Sequence, residues 1–100
     1  MGKVVVVGDR YTTSAFAVLG AEDMVLEDPY KLLETLNSIR RREDVDLVLV
    51  SRDLYEPVRE SVDSLLLNLS KPVVTVIPTP FSQGTPLDVK KIIFKALGFG

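Results

Sequence analysis

Two short segments hold residue types that could handle a phosphate group. Gly8-Asp9-Arg10 is followed by the hydroxyls of Thr12, Thr13 and Ser14, and Ser51-Arg52-Asp53 adds a hydroxyl, a guanidinium and a carboxylate. A phosphoacceptor site would need two acids after the first segment to hold magnesium, and an Asp at the second to take the phosphoryl group. Here the first segment offers one acid, Asp9, and Ser51 cannot form an acyl phosphate. The Lys such a site needs near a later strand end is replaced by Thr79 and Pro80. A nucleotide or flavin site would want several amides at a glycine-rich helix N-terminus. Only Gly8 precedes the hydroxyls, and neither G-x-G-x-x-G nor G-x-x-x-x-G-K-[ST] occurs. Asp9 would also repel a phosphate, although Tyr11 and Tyr55 could flank a flavin.

Composition removes further chemistry. The chain has 100 residues, no His and no Cys. It therefore lacks the commonest general base, the commonest transition-metal ligand, a thiol nucleophile and any disulfide. Neither a catalytic group, a cofactor site nor a metal site is expected. A net charge of −2 excludes the basic field of a nucleic-acid binder. Arg40-Arg41-Arg42 sits at the end of a predicted helix, where cations complement the dipole. Glu22-Asp23 and Glu27-Asp28 look like a solvated edge and receive no role. The N-terminus lacks the apolar run of a signal peptide, and no apolar stretch approaches ~18 residues. These features point to a cytoplasmic chain.

The elements that would position such groups alternate. Lys3 to Val7 is a continuous β-branched run, as in a strand covered on both faces. Thr12, Thr13 or Ser14 could cap a helix that ends at Gly20. Met24 to Leu26 is a short edge strand, and Asp28-Pro29 opens a second helix with Leu32, Leu33, Leu36 and Ile39 on one face. Leu47 to Val50 is the third strand. Asp53 and Glu56 have capping-box spacing ahead of a third helix, with Pro57 in its first turn. Pro72 to Ile77 is the fourth strand, and Thr85-Pro86 opens a helix that Gly98 stops. Such alternation predicts a single α/β domain over residues 1–100. Its four-stranded parallel sheet, flanked by helices, has the order 2-1-3-4, as in flavodoxin-like doubly wound folds. The switch point then falls between Gly8-Asp9-Arg10 and Ser51-Arg52-Asp53, the default place for a small ligand.

The last part of the chain suggests a different use. The loop IPTPFSQGTP has no carboxylate, Lys or Arg that could move a proton. In the helix after it, Val89, Ile92, Ile93, Ala96 and Leu97 form a core stripe. At about 100° per residue, Leu87 and Phe94 lie on the opposite side, beside Lys90, Lys91 and Lys95. Phe81, Gln83, Leu87, Phe94 and Phe99 are the residues expected to bind a partner.

The chain resembles the F subunits of the archaeal and vacuolar-type rotary ATPases over nearly its whole length. The resemblance rests on VVVVGD, SAFAVLGA, EDVDLVLVSRDL and KPVVTVIPTP in that order, with a terminal helix ending in Gly near residue 100. It implies a non-catalytic subunit of the central rotor stalk, peripheral to the membrane, which binds the coiled-coil D subunit. It also implies that the segment matching Pro86 to Gly100 can move and takes part in regulating ATP hydrolysis. The loop PTPFSQG departs from the family in lacking charged residues. The competing expectation is a small phosphate-ligand domain that uses the crevice at Gly8-Asp9 and Ser51-Arg52.

Overall fold

The computed structural model describes residues 2–78. Within them lie β1 (Lys3–Gly8), α1 (Arg10–Ala17), β2 (Glu22–Val25), α2 (Leu32–Arg40), β3 (Val45–Ser51), α3 (Arg52–Tyr55), α4 (Arg59–Leu67) and β4 (Val73–Ile77). A 3₁₀ turn over Pro29–Lys31 leads into α2, and a second over Glu56–Val58 joins α3 to α4. The strands form one parallel sheet in the order β2-β1-β3-β4. This is the architecture expected from the alternation of elements.

The sheet is central because its inner strands have no polar face. Val5, Val6 and Val7 are all fully buried. Val5 and Val7 join Val48, Val50, Leu32, Leu36, Ile39, Leu54 and Val62, so α2, α3 and α4 cover that face. Val6 joins Phe16, Leu47, Leu49 and Ile77, which places α1 on the other face. An extra residue on β3 lies between the Lys3–Val45 and Val4–Leu47 pairs. It breaks the strict alternation and lets Val45 join the α2 side of the core. Fully burying one such valine stabilises the fold by about 1.5–3 kcal/mol.

Several boundaries depart from expectation for local physical reasons. The cap of α1 is Asp9, whose carboxylate accepts from the Thr12 amide at 2.8 Å, rather than a threonine or Ser14. Asp28 does cap as expected, but it caps a 3₁₀ turn, and the regular α2 begins three residues after Pro29. The third helix is not continuous. Pro57 has no N–H to donate back along the helix, so the chain tightens to 3₁₀ there and restarts at Arg59. The capping box at Asp53 and Glu56 does not form, because the helix already begins after Ser51. Gly20 has φ +99 and supplies the left-handed turn that carries the chain from α1 into β2.

Candidate functional site

The crevice at the C-terminal ends of β1 and β3 is the first place to look for a ligand, since the strand order reverses there. The structure brings Gly8, Thr12 and Ser51 together at that point, but it packs them against one another. A Cβ placed on Gly8 would lie 3.2 Å from Ser51 Cβ, 3.3 Å from Ser51 Oγ and 3.4 Å from Thr12 Cβ. Thr12, Thr13 and Ser51 are all buried. The expected hydroxyls are thus sealed into the packing between β1, α1 and β3. The Thr13 hydroxyl donates to the Arg10 carbonyl at 3.3 Å, a bond inside the helix. Among the described residues, Thr12 Oγ1 is buried with no hydrogen-bond partner.

Electrostatics act in the same direction. The amides at the start of α1 form the helix's anion-binding end, and the Asp9 carboxylate already occupies it. A phosphate would have to displace that carboxylate or sit beside its charge. The two tyrosines do not frame the crevice either. Tyr11 is largely exposed, and it lies on the side of α1 opposite the buried Thr12, Thr13 and Phe16. Tyr55 turns toward α4, where its hydroxyl donates to Asp63 at 2.7 Å and Arg59 stacks 5.7 Å from its ring centre. That hydrogen bond to Asp63 raises the Tyr55 pKa above its ordinary value. Arg52 and Asp53 are exposed at the crevice mouth.

At the opposite end of the sheet the structure builds a charge network that sequence reasoning missed. Arg42 donates to both oxygens of Glu22 at 2.6 and 2.9 Å, and to both oxygens of Asp44 at 3.0 and 2.9 Å. Lys3 Nζ lies 3.5 Å from Glu22 and 3.6 Å from Asp44. The starts of β1, β2 and β3 are thereby tied together. Arg42 hydrogen bonds hold the carboxyls of Glu22 and Asp44 below the usual carboxylate range. Arg42 is therefore more than a dipole cation, and Glu22 is not a solvated edge charge. Only tertiary proximity could have found this, because Glu22 and Arg42 are 20 residues apart. Among the described residues, no group of three His, Cys, Asp or Glu side chains is placed to hold a metal ion.

A sizeable concavity lies elsewhere. A groove of about 580 Å³ opens between the 3₁₀ turn at Tyr30 and the one at Pro57. Leu33 and Val58, half-buried and packed on the core, line it together with Tyr30 and Pro57, while Glu56 and Glu60 add carboxylates. Of the residues expected to bind a partner, Phe81, Gln83, Leu87, Phe94 and Phe99 all lie outside the described residues.

Fold and crevice together define a doubly wound α/β domain whose usual ligand position is filled by its own side chains. Comparison with known proteins then places it. The family model described as "ATP synthase (F/14-kDa) subunit" matches residues 4–93. The F subunit of the A-type ATP synthase of Methanocaldococcus jannaschii is 30% identical over 98 residues, covering 96% of this chain and 95% of the relative. The protein of the same description from Methanococcus aeolicus is 30% identical over 101 residues, with the same shares covered. The chain belongs to the ATP synthase F/14-kDa subunit family. Among the described residues, no helix is long and apolar enough to cross a membrane.

Proposed function

We propose that the chain is a non-catalytic central-stalk subunit of an A-type ATP synthase. In this reading it binds the coiled-coil D subunit, turns with it, and contributes to regulation of ATP hydrolysis. It works at the membrane surface as part of the complex. The observation that carries the reading is the full-length likeness to A-type F subunits, joined to a switch-point crevice closed by Gly8, Thr12 and Ser51. A rotor part must pass torque without yielding, which suits a sheet covered on both faces. Residues 86–100 are the segment we assign to regulation, and Leu87, Phe94 and Phe81 are the proposed apolar anchors of its contact surface.

The test is co-expression with the coiled-coil stalk subunit of the same organism, followed by size-exclusion chromatography. A stable one-to-one complex is expected. Failure to form it, together with a rise in melting temperature on adding flavin mononucleotide, would instead support a crevice ligand. One observation favours that second reading, the Thr12 hydroxyl, which has no partner among the described residues. Thr12→Val separates the two. It replaces a sealed, unsatisfied hydroxyl by a methyl group, so the isolated domain should keep or gain stability, by up to about 1 kcal/mol. If the hydroxyl serves a ligand, the variant should lose the flavin-induced rise in melting temperature.

A further inference from the structure

The groove between Tyr30 and Pro57 has no part in the closed crevice. Its walls are two 3₁₀ turns, both held in place. The first is set by Asp28, whose carboxylate accepts from the Tyr30 amide at 3.0 Å. The second is set by Pro57 within the turn Glu56–Val58. Tyr30, on the first of these turns, is 78% exposed. Its backbone is fixed by the bond to Asp28, and a tyrosine side chain has only two rotatable angles to lose on binding, the property that makes tyrosine a frequent anchor at interfaces. Beneath it, Leu33 and Val58 offer an apolar floor backed by the core.

Charge decides what would fit. The lining carries two carboxylates, Glu56 and Glu60, against one cation, Arg59. Arg59 is already committed, 3.1 Å from Glu56 and stacked on the Tyr55 ring. No described residue pairs with Glu60. The charge left over is therefore negative, which disfavours a nucleic acid or phosphate and favours a cation set beside an apolar side chain. The outer face of α1, with Tyr11 and Val18 exposed, is another apolar surface, but Tyr11 to Ala21 contains no charge that could select a partner.

We infer that the Tyr30–Pro57 groove is a docking site for a helical segment of the stalk partner. That segment carries an aliphatic or aromatic side chain, which fills the groove, beside a lysine or arginine that pairs with Glu60. The inference rests on the proposed stalk function. It is tested by titrating the full chain against the coiled-coil stalk subunit by calorimetry at low and high salt. Tyr30→Ala should weaken binding about tenfold, the scale of an interface anchor. Glu60→Lys should weaken it comparably and remove most of its salt dependence. Tyr11→Ala should bind like the unaltered chain. Both groove side chains are exposed, so far-UV circular dichroism should be unchanged. If Tyr30→Ala and Glu60→Lys both bind like the unaltered chain, the groove is not the docking site, while the stalk function stands. Loss at Tyr11→Ala with retention at the groove would move the interface to α1 and overturn the inference. If the unaltered chain does not bind the coiled coil, both readings fall.

Discussion

Gly8 shows how much a single side chain can decide. Its Cα faces Ser51 so closely that an added methyl group would meet it tighter than ordinary contact, and it would also touch Thr12. Gly8→Ala should destabilise the domain by about 1–3 kcal/mol, the usual cost of overpacking. Ser51→Gly removes the two nearest atoms, so the double variant should recover part of the loss. A coupling of roughly 1 kcal/mol in chemical denaturation is expected. Strict additivity would mean that Gly8 and Ser51 do not press on each other.

Arg42 makes a second prediction at this scale. Glu22 and Asp44 have folded-state pKa values below their unfolded ones because Arg42 donates to them. Their contribution is therefore fully present above the ordinary carboxylate range, near pH 4, and is lost as the pH falls below it. In Arg42→Ala the melting temperature should drop at neutral pH. It should also fall less steeply than the parent's between about pH 4 and pH 2. Parallel melting-temperature profiles for the two proteins would rule the network out as a source of acid sensitivity.

At the scale of the element, α1 depends on one cap. Asp9 satisfies the Thr12 amide and occupies the end of the helix where an anion would otherwise sit. Asp9→Ala should cost about 1 kcal/mol of stability, and Asp9→Asn much less, since the amide oxygen can still accept. Measured by urea denaturation, equal losses in the two variants would mean that the carboxylate's charge matters more than its hydrogen bond. The break between α3 and α4 has a comparable local origin in Pro57, and it shapes the surface. The 3₁₀ turn it imposes forms one wall of the groove beside Tyr30.

For the whole molecule, the proposed reading asks a sheet with its inner strands covered on both sides to transmit force through a docked partner. On the proposed reading, Phe94→Ala should weaken binding to the coiled-coil partner and leave the melting temperature of the isolated chain nearly unchanged. The pair of readouts is size-exclusion co-elution and thermal unfolding. A large drop in melting temperature would make Phe94 a core residue and move the contact face elsewhere.

The sequence by itself determined the strands, their parallel order and the absence of His and Cys. Runs such as VVVV and LVLV leave no polar face, and Gly and Pro punctuate them at α/β spacing. The likeness to the F-subunit family was legible in the same way, from motifs in order along the chain. Tertiary structure alone decided that Asp9 caps α1 in place of the hydroxyls after it. It also decided that Thr12 and Ser51 close the crevice, and that Arg42 meets Glu22 and Asp44. The physical reason is common to all of these. A cap, a packed contact or an ion pair depends on where atoms converge in space, and residues far apart along the chain carry no local signal that they will meet.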